Sequence, residues 1–172
     1  MSSIHETAYP RFKPELTQRE LEDVYSPSAE DNKFIRRDAK SPAAKLYLAL
    51  LLKTVLRLGY FPMLHEIPAP IVSFLGKRMG MRSVAARDLF EEEKRHHSRV
   101  RCMETIRAYA KIRPITGETH AAILNAATEA AQTKQELADI INVIIEELVR
   151  QRFELPAFST LRRWRNCKVG GA

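Results

Sequence analysis

Glu93 and His96 stand three residues apart. That step sets a carboxylate and an imidazole on one face of a helix, as carboxylate-bridged metal bundles require. Such a centre needs a second copy of the motif, which the sequence lacks, and Lys94 and Arg95 between the two candidates repel a cation. His96 and His97 are neighbours, about 100° apart around a helix, so they cannot clasp one ion together. They read instead as phosphate contacts or packing residues. Cys102 has no Ser, His or Asp constellation near it in sequence and reads as a half-buried structural thiol. Neither a phosphate-cradling glycine loop nor a dinucleotide fingerprint occurs. The sequence therefore predicts no catalytic residue, no metal ligand and no cofactor.

The side chains that do form a pattern are basic. With 28 Lys and Arg against 21 Asp and Glu, the formal charge is +7 and the pI about 9.6, which points to an anionic partner, nucleic acid or a membrane surface. The charge is organised in blocks: residues 1–32 carry −4, 33–57 carry +6, 77–113 carry +6, 114–149 carry −5, and the remainder from 150 carries +5. In the first basic block Lys33, Arg36, Arg37 and Lys40 recur at steps of three and four, a row of cationic arms on one helical face. Lys45, Lys53 and Arg57 extend that surface along the next helix. In the second block Arg95 and Arg99 are helical neighbours, as are Arg107 and Lys111, with Arg101 and Arg113 nearby. Duplex DNA carries one charge per roughly 1.7 Å, and about six to ten such contacts give tight, strongly salt-dependent binding.

A membrane partner fits less well. An interfacial helix needs an exposed apolar face, whereas the leucine-rich helices here read as buried. The longest apolar run, Leu46 to Leu52, is seven residues, far below the roughly 20 that span a bilayer. Cys102 and Cys167 make neither a disulfide framework nor a zinc motif, and the start from Met1 to Glu6 lacks the features of a signal peptide. A reducing, cytosolic setting is expected.

The elements that must carry these cations are helices. Only six glycines occur and the apolar spacing is mostly three and four, so the expected fold is all-α, a multi-helix domain. Thr17 to Glu20 is a capping box opening a helix to about Tyr25; Ser28 caps a second; Ser41-Pro42 starts a third that Gly59 closes. Pro62, Pro68 and Pro70 make a stiff connector to a short helix ending at Gly80. A charged helical stretch, Ser83 to about Ile112, is broken once and carries the stripe Val100, Met103, Ile106 and Ala110. Thr116 caps an alanine-rich helix, and Thr133 to Glu136 reads as a capping box for its partner, which bears Leu137, Ile141, Ile144 and Leu148. These two form a C-terminal helical hairpin. The expected organisation is a helix-turn-helix-like DNA-binding subdomain over 1–59, a second helical subdomain over 60–158, and an unfinished helix with a divergent tail over 159–172.

Three strings add a likeness. Tyr9-Pro10-Arg11-Phe12, Leu16-Thr17-Gln18-Arg19-Glu20-Leu21 and Leu58-Gly59-Tyr60-Phe61-Pro62 resemble, in order and spacing, the N-terminal region of replicative transposases of the Tn-three family. Arg95-His96, Ile106-Arg107 and the string from Phe153 to Leu161 are similar as well, so the likeness covers about residues 8–161. In that family this region is helical and recognises the terminal inverted repeats of the transposon, while a distant ribonuclease-H-like domain with an Asp-Asp-Glu triad cuts and joins DNA. The resemblance implies binding of double-stranded DNA at transposon ends by a truncated chain without that catalytic domain, with full-length transposase as a further partner. Arg162 to Ala172 does not look like the family. The helices from Thr17, Ser28 and Ser41 would form the helix-turn-helix-like trio, the second or third entering the major groove. The alternatives are a helical protein-interaction module, docking through the hairpin from Thr116 to Arg152, and a non-specific nucleic-acid binder.

Overall fold

The computed structural model describes residues 4–164. The divergent tail from residue 165 onward, Cys167 with it, lies outside the described residues. Among the described residues the protein is all-helical: α1 (Gln18–Glu20), α2 (Ala29–Asp38), α3 (Pro42–Leu58), α4 (Ala69–Arg78), α5 (Ala86–Lys94), α6 (His96–Ala110), α7 (Gly117–Ala131), α8 (Leu137–Arg150) and α9 (Phe158–Trp164). They divide into two compact units, one of residues 11–111 and one of residues 1–10 with 112–172. The proline-rich connector after Gly59, expected to separate subdomains, lies inside the first of these. Phe61, Leu64 and Ile67 bury their side chains there.

Unit 11–111 is built around α3. Pro42 occupies the first turn, where no N–H is missed, the Ser41 hydroxyl accepts from the Ala44 N–H at 3.1 Å, and Gly59 closes the helix at φ 81°. Every residue from Leu46 to Leu52 is buried, so the middle of α3 is covered on all sides, as a helical stretch that is apolar all round must be. Helices α2, α4, α5 and α6 all pack on it. Each fully buried leucine contributes about 1.5–3 kcal/mol relative to exposure. The Thr17 box forms, with Glu20 accepting from the Thr17 N–H at 3.0 Å, and α1 widens into a π-helical turn over Leu21–Tyr25. Lys13 also bonds to Glu20 and leads the interactions that hold its carboxyl at about 2.

The break expected in the charged stretch falls at Arg95, between α5 and α6. The inward stripe of α6 differs from the expected one. Ile106 is buried as expected and Met103 and Ala110 are half-buried, but Val100 is exposed, and Arg99 and Tyr109 join the inward side through polar partners.

In the unit of residues 1–10 and 112–172, α7 and α8 pack into the expected hairpin, burying Ile123, Ala126 and Ala130 from one helix and Ile141, Ile144, Ile145 and Leu148 from the other. The capping box expected at Thr133 does not form. Thr133 finishes α7 instead, its N–H and hydroxyl both donating to the Ala130 carbonyl at 3.1 and 3.4 Å, and α8 starts after Glu136 without a side-chain cap. The first residues are stitched on: the Ala8 N–H donates to Asn142 Oδ1 at 2.7 Å, and the Tyr9 hydroxyl to the Pro156 carbonyl at 2.9 Å. An isolated parallel bridge joins Arg113 to Phe153, with the Arg113 guanidinium 3.9 Å from the Phe153 ring centroid.

Candidate nucleic-acid interface

Helix α2 carries the basic row. Ser28 and Asp31 form its N-terminal box, the Asp31 N–H donating to Ser28 Oγ at 3.0 Å and the Ser28 N–H to Asp31 Oδ2 at 2.9 Å. Phe34 and Ile35 are buried, and Lys33, Arg36 and Arg37 stand exposed on the opposite face. Arg37 bonds to Asp38 at 2.8 Å and lies 5.7 Å from the Phe34 ring centroid. Lys40 is exposed but follows the end of α2, so the row holds three helical members and one on the connecting segment.

Asp31 fixes this helix in place. Besides the Ser28 N–H, it accepts from the Tyr109 hydroxyl at 2.8 Å and the Lys53 ammonium at 3.2 Å, so α2, α3 and α6 meet at one carboxylate. Phe34 stacks on Tyr109 with centroids 4.2 Å apart. Burial pushes the Asp31 carboxyl up, but the Ser28 N–H, the Tyr109 hydroxyl and Lys53 outweigh it and hold the group below its ordinary value. Burial and the bond to Asp31 push Tyr109 up to about 12.

Lys53 is therefore a correction to the sequence reading. Its side chain is 11% exposed and paired inside the unit, because the acceptor it needs is 22 residues away and buried. Arg99 is a second correction. At 16% side-chain exposure it donates to the Tyr47 hydroxyl at 3.1 Å and to the carbonyls of Phe61 and Pro62 at 3.4 and 3.3 Å, and it pairs with Glu93 at 3.5 Å. Burial pushes the Tyr47 hydroxyl up to about 12.

The rest of the second block does not form one row. Arg95 pairs with Glu92 at 3.3 Å, and Arg107 lies 5.3 Å from the Phe61 ring centroid. Arg101 and Lys111 are exposed. Arg101 and Arg107 stand about 120° apart around α6. Lys45 is half-exposed in the first turns of α3, and Arg57 exposed in its last turn beside Tyr25.

The carboxylates that suggested other chemistry are engaged in holding the fold. Glu93 accepts from the Leu64 N–H at 2.7 Å, and Glu92 accepts from the Ser98 hydroxyl at 3.1 Å. His96 and His97 are exposed, their rings edge-on at 5.9 Å. Burial and then Glu92 push the Cys102 thiol up. Among the described residues no three His, Cys, Asp or Glu are gathered as a metal site, and no helix is long and apolar enough to cross a membrane.

A family model described as a domain of unknown function, DUF4158, matches residues 1–165. The chain belongs to this family. The DUF4158 match runs through both compact units, from the stitched first residues to α9. Comparison with curated proteins and with solved structures finds no match. Within this DUF4158 chain one basic group escaped the sequence reading: Lys77, Arg78 and Arg82, all exposed, line a groove with Gln18, Glu22 and Phe74. Gly80 between them was the available signal.

Proposed function

We propose that unit 11–111 binds double-stranded DNA through the cationic face of α2, and that its target is the terminal inverted repeat of a transposon, the chain acting as the end-recognition part of a Tn-three-type transposase. The observation that carries DNA binding is the segregation of charge. Unit 11–111 holds 20 Lys and Arg against 13 Asp and Glu, while the other unit is balanced at 8 and 8, so the whole +7 excess resides in the first. Lys33, Arg36, Lys40, Arg101 and Lys111 are exposed there without an ion-paired carboxylate. Long-range attraction to phosphate follows from such an excess. The ordered likeness of the three N-terminal strings to the transposase family supports the repeat as the target. Of the trio α1, α2 and α3, the member suited to the major groove is α2, since the middle of α3 is covered on all sides. Arg37 would read a guanine edge, and Lys33, Arg36 and Lys40 would hold phosphates. The role proposed is binding, and Glu93, the carboxylate of the candidate metal step, is spent on an internal hydrogen bond.

The test is fluorescence anisotropy with two duplexes, an inverted repeat taken from the DNA flanking the coding region and a scrambled sequence of the same composition. Five phosphate contacts predict a salt slope near −4.5, a weakening on the order of several hundred-fold between 50 and 200 mM salt. Equal affinity for the two duplexes would leave a non-specific binder and remove the repeat from the reading. A salt-independent or absent signal would remove DNA.

A further inference from the structure

Helix α4 ends in a backbone reversal that gathers three cations. The Met81 N–H reaches back to the Gly76 carbonyl at 2.7 Å and the Gly80 N–H to the Lys77 carbonyl at 3.2 Å, with Gly80 at φ 69°. This pair of bonds is the Schellman motif, and the left-handed residue at its centre is the position that favours glycine. Gly76 is buried, and a Cβ there would lie 3.6 Å from the Met81 carbonyl oxygen and 3.8 Å from the Leu46 side chain. The fold-back brings Arg82 to the wall that also carries Lys77 and Arg78.

These three line a groove of about 600 Å³ between α4 and the stretch from Gln18 to Glu22. Ser73 and Gln18 offer hydrogen bonds along it, and Leu21, Pro70 and Phe74 supply its apolar lining. Glu22 is its one carboxylate, and it accepts from the Gln18 side-chain amide at 2.9 Å. None of the three cations has an ion-pair partner among the described residues. The negative end of the α4 dipole accounts for a cation at Lys77 and Arg78, which sit in its last turn. It does not account for Arg82, which lies beyond the reversal. Three like charges on one wall repel one another in the free protein, and an anion placed between them relieves that repulsion.

We infer that this groove seats the phosphodiester backbone of duplex DNA, a path of contacts that shares no residue with the α2 row. The inference rests on the DNA-binding reading above and deepens it: the protein grips its duplex at two places, one on α2 and one on α4. Lys77 and Arg78 bond phosphate oxygens from the last helical turn, and Arg82 does so from the loop, with the Ser73 hydroxyl as an additional donor.

The experiment compares the full chain with K77Q/R78Q/R82Q and K33Q/R36Q/K40Q, measuring duplex affinity by anisotropy from 50 to 200 mM salt, with circular dichroism melting as the check on folding. Loss of three phosphate contacts lowers the salt slope of K77Q/R78Q/R82Q by about 2.7, so the fourfold salt step weakens it on the order of forty-fold less than wild type. An unchanged slope in that variant, with a lowered slope in K33Q/R36Q/K40Q, would overturn the groove and leave DNA binding by α2 standing. A wild-type chain that ignores duplex would overturn both. Should the triple substitution unfold the unit, Ser73→Glu serves instead. It sets a carboxylate on the groove wall at an exposed helical position, and it is expected to weaken duplex binding about tenfold, whereas unaltered binding would refute the groove.

Discussion

Both units pair cations with carboxylates at the surface, but among the described ion pairs only unit 11–111 also holds cations in its interior. In the unit of residues 1–10 and 112–172 the arginines that face carboxylates pair at the surface: Arg113 with Glu118 and Arg150 with Glu147, both at 2.6 Å. Unit 11–111 draws two cations into its interior, Lys53 and Arg99, and leaves many others in solvent. Interior cations are costly unless fully partnered, so here they work as ties between helices rather than as surface charge. The contrast teaches that the position of a basic residue in a run says little about its role. The partner decides, and the partner is often distant in sequence.

The most severe way to break the contrast is to remove the carboxylate at which α2, α3 and α6 meet. Asp31→Ala leaves the Lys53 ammonium buried without its counter-charge and should destabilise unit 11–111 by about 3–5 kcal/mol, read as a lowered urea midpoint. Acid should reproduce part of this. Because the folded-state value of Asp31 lies below its ordinary 3.8, the group's stabilising contribution is complete above that value. The contribution is lost as pH falls through the depressed value, and Asp31→Asn should flatten that part of an acid denaturation curve.

Next in size is the surface charge itself. Replacing Lys33, Arg36 and Lys40 with glutamine should cost duplex binding on the order of tens of fold near physiological salt, while Arg113→Gln and Arg150→Gln should change it less than twofold. Equal losses from the two sets would erase the distinction between the units as DNA binders.

Smaller effects sharpen the comparison at two matching helix ends. Each unit contains a Schellman reversal, at Gly80 after α4 and at Arg152 after α8, where the Phe153 N–H meets the Leu148 carbonyl at 2.9 Å and the Arg152 N–H meets the Val149 carbonyl at 3.0 Å. Gly80→Ala should lower stability by about 1 kcal/mol through backbone strain alone, since a Cβ there meets nothing within 4 Å. Arg152, at φ 60°, already bears that strain. Arg152→Gly should therefore stabilise its unit by about 0.5 kcal/mol, a net of relieved strain and a freer unfolded chain, visible as a slightly raised melting temperature.

What could be read from sequence was what is decided within a turn or two. Thr17, Ser28, Ser41 with Pro42, and Gly59 all mark helix ends as their types predict, because cap, proline and left-handed glycine act on adjacent backbone. The box at Thr133 does not form because its N–H donates to the Ala130 carbonyl of the preceding helix and α8 starts only after Glu136, which takes the N-cap position. Of the candidate interface, Lys33, Arg36 and Arg37 were legible as one face because three- and four-residue steps need no tertiary knowledge. Lys53 and Arg99 were misplaced on the surface because Asp31 and Tyr47, which hold them, lie 22 and 52 residues away. Of the α4 groove only the reversal at Gly80 was signalled, because its second wall comes from the distant stretch Gln18 to Glu22.

The seam at Tyr9 sets an order of assembly. Its hydroxyl waits for the Pro156 carbonyl, 147 residues downstream, whereas every tie inside unit 11–111 joins residues within that one continuous stretch. On a ribosome adding roughly 5–20 residues per second, the intervening stretch of about 150 residues takes about 7–30 s to emerge. The basic unit is thus complete while the leading segment still lacks its dock, and the protein is born with its cationic half finished first.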